Sequence, residues 1–222
     1  MKVKVSFLVV LLTVICISSL SFALSSSSKF VDVKNHWAAA DIAFVEANGL
    51  MIGYPGKMFN PGGKVSRLET AVVLDRVFDF NFDAIRFIKE PSLKDRFDDV
   101  VDGKWYSTSL LEATFFGVLN TNDRTFGPSK PVTRIELAKA IKQSFEAKNV
   151  NIITTQIFPT FKDTENLNSE ESASLNFVYN TGIMKGLGEN FNPNKPVTRA
   201  ELASILKRIV TTLKTVEPTP LQ

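Results

Sequence analysis

The 222-residue sequence has one cysteine and one histidine. That scarcity excludes most zinc sites, Cys–His nucleophile pairs and disulfide frameworks. Charge of one sign is also lacking. Lysine and arginine number 26 against 23 aspartates and glutamates, a formal charge of +3. A general nucleic-acid binder needs a concentrated basic surface, so nucleic acid is not an expected partner. No G-x-S-x-G, H-E-x-x-H or phosphate-binding loop occurs. Asp98, Asp99 and Asp102 lack the D-x-D-x-D-G spacing of a calcium loop. His36 has no second imidazole with which to share a metal and reads as a helix-start residue. No catalysis, metal or cofactor is expected. What is present, at 44% hydrophobic and 22% charged, is an ordinary globular composition. The length suits one or two compact units.

The first residues read as a secretory leader. Lys2 and Lys4 precede an apolar run from Phe7 to Ile17, and Ser21-Phe22-Ala23 has the small-x-small pattern of a cleavage site. The apolar run is shorter than the ~20 residues of a spanning helix, which disfavours an uncleaved anchor. Lipidation at Cys16 is disfavoured because Ile15 stands where a small residue is needed. Cleavage after Ala23 leaves a mature chain without cysteine, with a formal charge of +1 and no membrane span.

The remainder is one pattern written three times. Phe30-Val31-Asp32-Val33 recurs as Phe97-Asp98-Asp99-Val100 and, more loosely, as Phe161-Lys162-Asp163-Thr164. Glycine turns follow at Gly49 to Gly53, Gly117 to Thr121 and Gly182 to Gly186. Then come Phe59-Asn60-Pro61, Phe126-Gly127-Pro128 and Phe191-Asn192-Pro193. The last marker is Val65-Ser66-Arg67-Leu68-Glu69, Val132-Thr133-Arg134-Ile135-Glu136 and Val197-Thr198-Arg199-Ala200-Glu201.

Helical periodicity predicts a first helix in each repeat, over 37–48, 105–116 and about 170–181, each stopped by a glycine. Ser66 with Glu69, Thr133 with Glu136, and Thr198 with Glu201 form capping boxes that open a second helix. Those glutamates read as caps rather than as a glycosidase pair. The Phe-rich segment 77–88 reads as a core helix joining repeats one and two, closed before Pro91. A single helix–loop–helix cannot bury its apolar face alone, but three can by packing together. The expected divisions are a leader at 1–23, repeats at 24–90, 91–153 and 154–213, and a short flexible tail at 214–222.

These motifs resemble the S-layer homology (SLH) domain in three tandem copies. Repeat one matches most fully, through Asp32, His36-Trp37, Gly49, Gly53-Tyr54, Phe59, Pro61, Arg67 and Glu69. Repeat two has Thr121 for the second turn glycine, and repeat three has Glu170 where the others have Trp. The resemblance implies an all-α, pseudo-threefold, three-lobed spindle. It also implies non-covalent attachment to cell-wall polysaccharide, including polymers with pyruvate ketals, in grooves between repeats. Such a protein is secreted to the cell surface. Other surface-layer proteins are further expected partners, and a self-assembling lattice or envelope tether is the alternative.

Within that frame the candidate carbohydrate-binding residues are Arg67, Arg134, Arg199, Trp37, Trp105, Asp32, Asp99, Asp163, Gly53 and Gly186. An arginine in the first turn sets guanidinium donors beside exposed amides and the positive helix end, an arrangement that suits an anion. The alternative is plain helix-start charge. The tryptophans either stack on a sugar face or pack the helix. The aspartates accept sugar hydroxyls, or cap helix one, or pair with the arginines. The glycines admit a ligand or serve turn geometry. The departures in repeats two and three imply unequal grooves.

Overall fold

The structure, a computed structural model, describes residues 28–121, 123–153 and 157–216. The leader at 1–23, with Cys16, and residues 217–222 of the tail lie outside the described residues. Among the described residues six α-helices follow in order: α1 Ala39–Ala47, α2 Arg67–Phe78, α3 Ser107–Phe115, α4 Arg134–Ala147, α5 Ser169–Asn180 and α6 Arg199–Thr215. Two short 3-10 helices, Val31–Val33 and Leu93–Asp95, and isolated β-bridges accompany them among the described residues.

Local sequence explains these elements. Gly49, Gly117 and Gly182 adopt φ of +67°, +85° and +70° just past α1, α3 and α5. A β-carbon is disfavoured at such angles, so glycine is the natural terminator. The boxes at Ser66, Thr133 and Thr198 are each made in both directions. A fourth box, Asn168 with Glu171, opens α5. The Phe-rich joining segment is not a helix. α2 ends at Phe78 and Asp79 turns left-handed at φ +51°. Asn81 then donates to the Asp79 carbonyl, and the Asp83 amide to the Asn81 side chain. Asp and Asn at 79, 81 and 83 offer the backbone local partners that compete with a helix. The core role survives for Phe78 and Phe80, which are buried, while Phe82 and Phe87 pack against Phe115.

The tertiary pairing crosses between repeats. α3 packs on α2, α5 on α4 and α1 on α6. The first helix of each repeat therefore lies on the second helix of the preceding one, and α1 with α6 closes the circle. Three buried valines form the hub. The Val65 amide donates to the Val197 carbonyl, Val197 to Val132, and Val132 to Val65, at 2.9–3.0 Å. One continuous hydrophobic core runs through all three repeats.

A carboxylate cluster sits where α2 meets α3. Burial, reinforced by Asp75, Asp79 and Asp83, raises the Glu112 pKa to about 7. Burial also raises that of Asp75, whose Oδ1 is buried without a partner. Arg76 tempers Asp75, and the Lys148 ammonium binds the Asp79 carbonyl rather than a carboxylate. A raised carboxyl pKa means that the folded chain holds a proton the unfolded chain has released. Glu112 therefore contributes stability that is lost as pH climbs from the unfolded value toward about 7. Glu112→Gln should flatten this dependence and melt higher than wild type above neutrality. Thermal unfolding across acid to mildly basic pH checks it; an offset independent of pH would refute it.

Candidate functional site

Each second helix delivers its arginine into the next repeat. Arg67, Arg134 and Arg199 are only 8%, 5% and 5% exposed. The Arg67 Nε donates to the Phe126 carbonyl at 2.8 Å and Nη2 to Leu119 at 3.0 Å. Arg134 repeats this on Phe191 and Lys185, and Arg199 on Phe59 and Ile52. Each guanidinium also lies over the phenylalanine ring of the turn it grips, at 4.5–5.0 Å. These are seam-closing groups before they are anything else.

The expectation of exposed amides beside the arginines is overturned. The Arg67 amide donates to Lys130 and the Leu68 amide to Pro128. Repeats two and three place the same bonds on Lys195 with Pro193, and on Gly63 with Pro61. The N-cap side chains take the third amide. The orphan donors that would attract an anion are thus consumed by the neighbouring repeat. A cation at a positive helix end is offset by glutamate from the next repeat. Glu136 binds Arg67 Nη1 at 3.0 Å and Glu69 stands 3.7 Å from Arg199 Nη1. Burial works against the Glu136 and Glu201 carboxylates. Their cap amides and hydroxyls, with nearby cations, nonetheless hold both pKa values below the usual range.

Asp32, Asp99 and Asp163 neither cap helix one nor contact the arginines directly. Each carboxylate accepts two backbone amides of the F-x-P turn, at 2.7–2.8 Å. Burial opposes ionisation of Asp32, yet the Phe59 and Asn60 amides, aided by Arg199, lower its pKa. Gly53 and Gly186 lie against Phe30 and Phe161, where a β-carbon would stand 2.1 and 2.2 Å from the ring. In repeat two the turn runs differently. Leu119 takes φ +54°, and Arg67 grips its carbonyl rather than that of Asn120, which aligns with Ile52 and Lys185. The non-glycine residue there, Thr121, accompanies that detour.

Trp37 and Trp105 are 67% and 70% exposed, so neither is core. Trp105 borders a groove of about 230 Å³ with Ile52, Tyr54, Arg76 and Arg199. Three repeats contribute to it. The corresponding groove between repeats one and two, about 320 Å³, is bordered by Arg67, Asn120, Lys139, Gln143 and Glu170. Glu170 thus occupies Trp105's place. Trp37 precedes α1, the helix packed on α6.

Sequence reading passed over Tyr54 as a groove residue and missed Arg76 and Arg208 altogether. Arg76 Nη1 donates to the Leu50 carbonyl and Arg208 Nη1 to Ile183, each at 3.1 Å. The available signal is position: each lies nine residues beyond Arg67 or Arg199, with Gln143 in the middle repeat. An exposed indole over an arginine-bearing groove can stack a sugar ring and pair a carboxylate. Among the described residues no group of three or more His, Cys, Asp or Glu is arranged to hold a metal ion. Nor is any described helix long and apolar enough to cross a membrane.

The S-layer homology domain family matches this chain at residues 29–71, 96–138 and 160–203. The chain is similar to the S-layer protein sap of Bacillus anthracis, 26% identical over 190 residues, covering 83% of this chain and 21% of that protein. The S-layer protein of Bacillus thuringiensis subsp. finitimus is likewise 26% identical over 191 residues, covering 83% and 21%. An amylopullulanase of Thermoanaerobacterium thermosulfurigenes is 25% identical over 182 residues, covering 80% of this chain and 9% of that enzyme. The chain therefore spans about a fifth of the length of these S-layer relatives.

Proposed function

Because the chain belongs to the S-layer homology domain family, which matches all three of its repeats, we propose that it attaches non-covalently to the cell wall. Its ligand is an acidic wall polysaccharide held in the grooves between repeats. The observation that carries this reading is the exposed Trp105 indole bordering a groove that also presents Tyr54, Arg76 and Arg199. Aromatic faces match the apolar face of a sugar, and arginine matches a carboxylate such as a pyruvate ketal. Arg76 is exposed and uses one nitrogen on a backbone carbonyl, which leaves donors for a ligand. The S-layer relatives support a place at the cell surface.

Sedimentation of the protein with purified wall sacculi, before and after removal of the wall polymer, tests this. Wild type should sediment only with polymer-bearing walls. Trp105→Ala should bind roughly tenfold or more weakly, the effect of truncating an aromatic anchor, with an unchanged unfolding midpoint because the side chain is exposed. Binding indifferent to the polymer or to Trp105 would reject the reading. Large oligomers formed without any wall would identify a lattice subunit instead.

A further inference from the structure

The seams are not chemically equivalent, and one is already occupied by the protein's own anion. In the groove between repeats one and two, Lys139 Nζ lies 2.9 Å from Glu170 Oε2. Gln143 Nε2 reaches Glu170 Oε1 at 3.4 Å. Gln143 stands where the other repeats have Arg76 and Arg208, and Glu170 where they have tryptophan. The buried arginine of this seam is saturated as well. Arg67 Nε and Nη2 bind carbonyls, and Nη1 binds Glu136 at 3.0 Å. By contrast, Arg199 Nη1 faces Glu69 only at 3.7 Å. Among the described residues Arg134 Nη1 has no hydrogen-bond or ion-pair partner.

We propose that Glu170 is a specificity-determining residue: its carboxylate holds the cationic position of this groove and excludes a carboxylated sugar from it. This rests on the groove reading of the proposed function. The physical argument is charge. Among the side chains lining this groove, Arg67 with Glu136 and Lys139 with Glu170 cancel, and Lys130 stands at the rim, 4.0 Å from Glu136. The Trp105 groove, with Arg199 and Arg76 against Glu69, keeps a net positive charge. An incoming carboxylate would have to displace Glu170 from Lys139 beside a second carboxylate, Glu136. Like charges at close quarters oppose that. No indole offers compensating stacking.

The test is calorimetric titration of wild type and Glu170→Gln with a wall disaccharide bearing a pyruvate ketal, and with the methyl ester of the same ketal. Glu170 is a surface side chain, so the substitution should fold normally, checked by its unfolding midpoint. Wild type should take up the acidic sugar at fewer than three sites. Glu170→Gln should gain one further acidic-sugar site and leave binding of the neutral ester unchanged. Three equal acidic sites in wild type, no gain in the variant, or an equal gain for both sugars would overturn the inference while leaving wall attachment standing. No binding of the acidic sugar by wild type at all would overturn both.

Discussion

Replacing Arg199 by alanine will lower the unfolding free energy by about 3–5 kcal/mol, the cost of breaking a buried, hydrogen-bonded charge site. Two carbonyls, of Phe59 and Ile52, lose charged donors at 2.7 and 2.6 Å. Bonds of this kind are worth about 1.5–3 kcal/mol each. Glu69 also loses its counter-charge and the Phe59 ring its cation. Arg199 makes the closing contact of the ring, reaching across 140 and 147 residues to repeat one. Its loss therefore frees the seam that chain connectivity supports least. In a domain of this size the melting midpoint should fall by on the order of 10 °C. Lysine should recover little of the deficit, because a single ammonium nitrogen replaces the two separate nitrogens, Nε and Nη2, that reach the two carbonyls. Thermal unfolding without any glycan is the measurement. A wild-type midpoint for Arg199→Ala would mean that the circle closes without this residue. The result also decides how any arginine variant should be judged in a wall-binding assay. Lost binding would follow from lost folding, so exposed Trp105 and Arg76 are the cleaner probes.

The second large effect is expected at Gly53. Its φ is not left-handed; the constraint is space. A β-carbon would stand 2.1 Å from Phe30 Cε1 and 2.6 Å from the Met58 carbonyl oxygen. Phe30 is 4% exposed and packs on Phe59 with ring centroids 5.3 Å apart, so it has nowhere to retreat. Gly53→Ala should cost about 3 kcal/mol, at the upper end of overpacking penalties. Phe30→Ala alone should cost about 3–5 kcal/mol through its cavity. The double variant should cost less than the two together by about 1 kcal/mol or more, since the ring that clashes is gone. Additive costs in denaturant unfolding would show that the glycine serves something other than room for Phe30. In the same turn, a ligand-access role would appear as lost glycan binding with an intact midpoint.

Much of the local structure was legible. The S/T-x-x-E boxes appear as drawn, because a cap and its glutamate three residues on find each other within a single turn. Gly49, Gly117 and Gly182 end their helices because only local backbone angles are involved. The joining segment after Phe78 was misread, because four phenylalanines outweighed the alternating Asp and Asn that stop a helix there. The candidate site was legible as a list of positions and less so as a set of roles. Trp37 and Trp105 stand exposed. The arginines are buried, and the aspartates clasp turn amides 27 to 29 residues away. Spacing along the chain does not state burial or a distant partner.

By itself, the order of residues determined three repeats, their helix starts and stops, and the valine that precedes each cap, because these depend on neighbours a few bonds away. Tertiary structure alone decided that each first helix lies on the second helix of the preceding repeat, that α1 meets α6, and that three arginines are buried in closing seams. Those outcomes depend on which buried carbonyls lack a donor once the three repeats have packed, and that shortage exists only in the folded whole.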